Sequence, residues 1–289
     1  MPTPTPRHEY PAGVPCWIDL EPADVGAAID FYGAVLGWTF EDRLPPDAPG
    51  RYAIASVDGL TVGAVGSASE RADGAATWNT YVSVTDVEAV VAAAVAAGGD
   101  VVAAPGAGAP PGRSAVVADP SGAAIRLWQP GTNPGAELVN ANGAWNWSNL
   151  HTPDGAVVAG FYVDVFGWEL ERLPLGGVYA QMWRRPGYGD FLAEIDPGIA
   201  ERQDGAGAPP GFADAIAWLV EDPGPSHWQV TFTVDDTDEA TRRVTKRGGA
   251  VLTEPYDEGP TRLAVVADDQ GTVFSLNTFY PERLADSGR

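Results

Sequence analysis

The 289-residue chain sets 39 acidic against 17 basic residues, a net charge of −22, within a globular composition of 45% hydrophobic and 19% charged residues. The acidity is spread, with 5 basic and 14 acidic residues over 12–134 and 9 and 21 over 140–281. Such a surface repels phosphate backbones and anionic lipids and mildly favours a cationic ligand, so neither nucleic acid nor membrane is expected as a partner. The one cysteine, Cys16, excludes an internal disulfide. No apolar run reaches membrane-span length and no signal-peptide pattern opens the chain, so a cytoplasmic location is expected.

Residues 1–6, Met-Pro-Thr-Pro-Thr-Pro, read as an extended arm. Cys16–Leu20 alternates like a strand. Asp24 then offers an N-cap, and Val25, Ile29, Tyr32 and Leu36 follow a helical stripe that Gly37 stops. Strand-like stretches follow at 38–41, 52–57 and 60–65, separated by prolines, aspartate and glycine. The plan restarts with a strand at 81–84 and a helix over 86–97 ended by Gly98-Gly99. Strands near Val101, 114–118 and 124–128 complete it.

A Gly/Pro/Asn-rich linker over 129–144 leads to a second half that repeats the first. Its helices are predicted near 154–166 and 236–247, while a fourth strand near Phe191–Glu194, the counterpart of Thr61–Gly63, aligns too loosely to assign. An insertion is predicted over 199–225.

The sequence repeats itself. Residues 24–41 (DVGAAIDFYGAVLGWTFE) return 130 positions later as residues 154–171 (DGAVVAGFYVDVFGWELE), and residues 113–122 (RSAVVADPSG) return as 262–271 (RLAVVADDQG). Two separated echoes in the same order indicate a duplicated domain. The expected domains are 12–134 and 140–281, each made of two β-α-β-β-β modules, giving an α+β fold of four modules in tandem.

The elements Asp-x6-Phe-Tyr-x4-Gly-Trp and Val-Val-Ala-Asp-x2-Gly, in this frame, resemble the vicinal oxygen chelate superfamily of glyoxalases, extradiol dioxygenases and bleomycin-resistance proteins. The resemblance implies that each pair of modules forms a half-open, barrel-like cup for the ligand. It also implies that metal-dependent members carry His or Glu on the first and last strands of a module.

Strand alternation assigns the cup-facing residues. In the first half these are Trp17, Asp19, Asn79, Tyr81, Arg126 and Trp128. In the second they are Trp147, Asn149, His151, Gln229, Ser275 and Asn277. The family's ligand positions fall on Trp17, Asn79 and Arg126, and on Trp147, Gln229 and Ser275. An arginine cannot ligate a cation, so no metal and no other cofactor is expected.

Rings and neutral hydrogen-bonding groups suit a bulky planar aromatic ligand. Trp38 and Trp168 are expected in the core, and Asp19 could pair with Arg126. The leading reading is metal-independent binding of an antibiotic or late polyketide intermediate, as tandem members in anthracycline clusters suggest. The role would be sequestration, self-resistance or help to a tailoring enzyme, and the protein would be a binding or accessory protein rather than an enzyme. A metal-free isomerase, cyclase or hydrolase using His151 or Asp19 as base is the alternative. A metal-dependent glyoxalase or dioxygenase is the third.

Overall fold

A computed structural model of the protein describes residues 9–45, 47–67, 76–108, 111–175, 178–205 and 208–284. The arm expected at 1–6, and His8, lie outside them. The first module contains β1 (Pro15–Leu20), α1 (Val25–Leu36), β2 (Thr39–Asp42), β3 (Tyr52–Val57) and β4 (Leu60–Gly66). The second contains β5 (Trp78–Ser83), α2 (Val87–Ala96), β6 (Asp100–Gly108), β7 (Gly112–Ala118) and β8 (Ala124–Pro130). The third contains β9 (Trp145–Thr152), α3 (Gly155–Phe166), β10 (Glu169–Leu175) and β11 (Val178–Arg184). Two short helices, α4 (Tyr188–Ile195) and α5 (Ile199–Gly205), then precede its last strand β12 (Ala215–Glu221). The fourth is β13 (His227–Thr233), α6 (Thr237–Lys246), β14 (Ala250–Glu258), β15 (Thr261–Ala267) and β16 (Val273–Phe279).

The strands form two mixed eight-stranded sheets of order β2-β3-β4-β1-β5-β8-β7-β6 and β10-β11-β12-β9-β13-β16-β15-β14. The order is linear, so neither sheet closes into a barrel. The fold is α+β, as the repeat predicts.

The structure settles the third module where the sequence pattern is loose and corrects the extent of the insertion. Phe191–Glu194 lies in α4 rather than on a strand, and the fourth strand is β12, inside the stretch expected to be an insertion. The alternating Ala215-Ile-Ala-Trp-Leu-Val run is a buried strand. The inserted material is the helical excursion before it, whose glycines and prolines concealed where the strand resumes.

An aspartate caps the module helix in every case: Asp24, Asp86, Asp154 and Asp236 accept from backbone N–H groups at 2.9–3.0 Å. Such caps stabilise a helix by about 1 kcal/mol each. Gly37 and Gly167, at φ 76° and 67°, end α1 and α3 in the left-handed conformation that the repeated Gly-Trp pair requires.

The chain divides into two compact units, each drawing modules from both sequence repeats. One comprises the described residues within 1–16, 81–137 and 150–227; the other comprises those within 17–80, 138–149 and 228–289. In the second unit, Phe31, Tyr32, Trp38, Trp78, Trp145, Phe232 and Phe274 form an aromatic core with Ile18 and Leu20 beneath α1. In the first, Tyr162 lies flat on Trp168 (5.0 Å between centroids, 8°) beside Phe161, Phe166 and Trp183.

The two sequence echoes meet crosswise inside these units. Tyr32, from the first copy of the Phe-Tyr motif, donates to Asp268 Oδ2 (3.0 Å), from the second copy of the Ala-Asp motif. Tyr162 donates reciprocally to Asp119 Oδ2 (2.8 Å). The other oxygen of each aspartate accepts backbone N–H groups of its own turn, from Ser121 and Ala123 or from Gln270 and Thr272.

The Gly-Gly pairs act in the same places. A Cβ on Gly99 would lie 2.6 Å from the Phe161 ring, and one on Gly249 3.1 Å from that of Phe31. The second glycine of each pair therefore permits close helix packing, in addition to the stop that the sequence suggests.

Replacing Tyr162 by Phe removes its hydroxyl donor to Asp119 Oδ2 while keeping the ring. We expect a loss of about 1–3 kcal/mol, read as a lower urea midpoint at unchanged slope. An unaltered midpoint would refute the role given to this bond.

Candidate functional site

On β1, Ile18 and Leu20 enter the core under α1, so alternation turns Trp17 and Asp19 to the opposite face. There the Trp17 indole N–H donates to the Tyr52 hydroxyl (3.2 Å), which donates to Asp19 Oδ2 (3.1 Å), while Asn79 Nδ2 donates to Asp19 Oδ1 (2.8 Å). Asp19 is 1% and Trp17 3% exposed. The chain of indole, phenol, carboxylate and amide is therefore a buried network, in which each group has a donor or acceptor suited to its neighbour. Tyr52 was not among the sequence candidates. It opens β3 at the position opposite Gly66, so only strand pairing reveals it.

In the other unit, Tyr81 and Arg126 are register partners on the parallel pair β5 and β8. Arg126 Nη1 donates to the Tyr81 hydroxyl (3.1 Å), and its guanidinium lies 5.5 Å from that ring's centroid. Trp128 meets Tyr81 edge-on at 6.2 Å, and its N–H donates to Asn133 O at 2.9 Å. The indole lies so close to β7 that a Cβ on Gly112 would fall 2.5 Å from it. Trp128 is thus packed, and buried at 3% exposure.

The second-repeat candidates divide similarly. Along β9, Trp147, Asn149 and His151 are half-buried and alternate with buried Ser148, Leu150 and Thr152. Gln229 Nε2 donates to Ser275 Oγ (2.7 Å). Asn277 Nδ2 donates to Asn146 Oδ1, and Asn146 Nδ2 to Asn140 Oδ1, both at 2.9 Å. Asn277 Oδ1 is buried without a hydrogen-bond partner among the described residues.

Trp38 and Trp168 are core residues whose indole N–H groups donate to Gly143 O (2.5 Å) and Gly13 O (2.6 Å). Of the other tryptophans, Trp78, Trp145, Trp183 and Trp228 are buried and Trp218 is half-buried. Cys16 is fully buried and its thiol is pushed up by that burial, which leaves it no nucleophilic role.

His151 gains partners that the sequence did not reveal. Its Nδ1 lies 2.6 Å from Asp222 Oδ2, and its ring stacks on His227 at 4.9 Å and 17°. The His227 Nδ1 lies 2.8 Å from Pro225 O. Burial lowers the His151 pKa below its ordinary 6.5 and His227 adds to this, outweighing Asp222. Burial raises Asp222, but hydrogen bonds from His151 and the Gly224 N–H outweigh it and hold the carboxyl low.

Residues 17–127 match the Glyoxalase/Bleomycin resistance protein/Dioxygenase superfamily, and residues 147–277 match a glyoxalase-like domain. The chain belongs to this superfamily. It is 35% identical over 274 residues to "Putative glyoxylase CFP32" of Mycobacterium tuberculosis, covering 93% of this chain and 96% of that one. It is 33% identical over 281 residues to "Anthracycline biosynthesis protein DauV" of Streptomyces sp. (92% and 94% covered). Among solved structures, the Mn(II)-bound glyoxalase of Novosphingobium aromaticivorans shares the fold at a TM-score of 0.58 and 18% identity, covering 92% of this chain and 82% of that one. The 2,3-dioxygenase LapB of Pseudomonas sp. KL28 does so at 0.57 and 18%, covering 94% of each.

The residues that the sequence pattern places at the metal-ligand positions make a poor cation site. In the second repeat these positions hold Trp147, whose indole N–H can only donate, and Gln229 and Ser275, which are bonded to each other. In the first they hold Trp17 and Asn79, committed to Tyr52 and Asp19, and Arg126, a cation itself. Among the described residues no group of three or more His, Cys, Asp or Glu is arranged to hold a metal. None of the described helices is long and apolar enough to cross a membrane.

The histidine pair generates a pH prediction. A histidine with a lowered folded pKa takes up its proton more readily when unfolded, so its stabilising effect is complete above the unfolded value of about 6.5 and fades as pH falls below it. Thermal melts from pH 7.5 to 5 should therefore show a falling Tm, and the fall should be shallower in His151→Gln. Parallel curves for both proteins would contradict the assignment.

Proposed function

We propose that this superfamily member binds a bulky planar aromatic small molecule without a metal, in the manner of an accessory or protective protein of polyketide antibiotic metabolism. The observation that carries the reading is the hydrogen bond from the Gln229 amide to the Ser275 hydroxyl, residues that with Trp147 occupy the positions where the sequence pattern would place metal ligands. Such groups orient oxygenated rings, and Trp147 keeps part of its surface open for stacking. The kinship with proteins named for anthracycline biosynthesis supports the same chemical class. The acidic surface favours an amino-sugar substituent. Sequestration, self-resistance and assistance to a tailoring enzyme, all in the cytoplasm, are the roles consistent with this reading.

The test is tryptophan fluorescence quenching by doxorubicin in the presence of EDTA, followed by mass spectrometry of the recovered ligand. Saturable quenching with an unchanged ligand mass is expected. Trp147→Ala should weaken binding by about 1–3 kcal/mol, as lost base–aromatic stacking contacts do. Absence of quenching by doxorubicin and other planar polyketides would refute the reading. A changed mass would make the protein a metal-free enzyme.

A further inference from the structure

The Asp-Pro-Gly-Pro-Ser-His segment at 222–227 is held in place from both ends. The Asp222 N–H donates to Thr152 O (3.0 Å), Ser226 Oγ donates to Thr152 Oγ1 (3.0 Å), and Asp222 Oδ1 accepts the Gly224 N–H (2.9 Å). Two prolines stiffen what lies between. Thr152 directly follows His151, so the loop is pinned beside that imidazole, and Asp222 uses one oxygen for its own turn and the other for the ring. Such a division of labour differs from that of a mobile surface ion pair, where neither oxygen is committed.

The hydrogen bonds fix the ring chemistry. A low-pKa carboxylate can only accept, so the 2.6 Å contact with Asp222 places the neutral ring's proton on His151 Nδ1 and leaves a lone pair on Nε2. The Pro225 carbonyl likewise accepts from His227 Nδ1. The parallel His227 ring, 4.9 Å away, adds to the effect of burial in disfavouring a cation on His151. His151 also keeps 16% side-chain exposure, so it is not sealed in. The titratable groups on the elements around it are Asp222, His227 and Glu221, the last turned to the Gly155 N–H at 3.3 Å.

We propose that His151, Asp222 and His227 form a proton-accepting site for an ionisable hydroxyl of an aromatic ligand, with His151 Nε2 as the acceptor. Asp222 is the positioning residue, and His227 is the plate that fixes the ring plane. When the proton transfers, the ligand O–H bond breaks, Nε2–H forms, and the oxygen keeps the electron pair as a phenolate. Asp222 then faces an imidazolium, which its charge stabilises. The ligand part of this proposal rests on the binding reading above; the ring chemistry does not.

The experiment has two arms on the full-length chain. Long-range proton–nitrogen NMR of the histidine rings at pH 7 should show His151 neutral with its proton on Nδ1, and Asp222→Asn should redistribute it. An Nε2–H tautomer or an imidazolium in the wild type would overturn the site. In the second arm alizarin, a hydroxyanthraquinone, is titrated while its phenolate absorption is followed. Bound to the wild type it should ionise at about tenfold higher proton concentration than when free, one pKa unit. His151→Gln should abolish this shift while tryptophan quenching persists, and His227→Ala provides a second variant should Asp222→Asn fail to fold. The same ionisation in wild type and His151→Gln would overturn the proposal. No alizarin quenching at all would refute its ligand part and count against the binding reading, with the NMR arm still deciding the ring chemistry.

Discussion

The buried phenol–carboxylate bonds Tyr32–Asp268 and Tyr162–Asp119 are the constraint on which each compact unit depends. Each joins a helix from one sequence repeat to a turn from the other, in a region where an unsatisfied carboxylate would cost several kcal/mol. The Tyr32 hydroxyl also accepts the Trp78 indole N–H (3.1 Å), so one phenol serves both the turn and the aromatic core. The Trp38 and Trp168 bonds to Gly143 and Gly13 run in the same crosswise sense. With this layer fixed on one side of each sheet, alternation leaves the other side to the polar residues that define the candidate site.

Much of this architecture is legible in the sequence because its signals are local. Asp24, Asp86, Asp154 and Asp236 announce helix starts, and Gly37 and Gly167 announce stops, so the four module helices fall within a residue or two of their predicted places. The one displaced strand, β12, follows two helices that interrupt the module, and no short-range pattern distinguishes it from the insertion. The crosswise pairing is equally hidden, because Tyr32 and Asp268 each read as part of a self-contained repeat.

The candidate site was legible in its faces and not in its partners. Alternation placed Trp17, Asp19, Trp147 and His151 away from the helix layer. Tyr52, 33 residues from Asp19, and Asp222, 71 residues from His151, needed the fold to bring them in. Burial also changes the emphasis among the rings. Trp17 and Trp128 are packed and hydrogen-bonded, which leaves Trp147 as the tryptophan of the set with an open surface.

We propose that in this member of the superfamily the positions assigned to metal ligands carry hydrogen-bonded side chains and hold no metal ion. The most direct test is metal stoichiometry. The purified protein would be equilibrated with Mn(II), Fe(II) or Zn(II), passed through gel filtration, and measured by inductively coupled plasma mass spectrometry. The account predicts retention far below one ion per chain for every metal. One tightly held ion per chain, lost on substitution of Gln229 or Ser275, would contradict it.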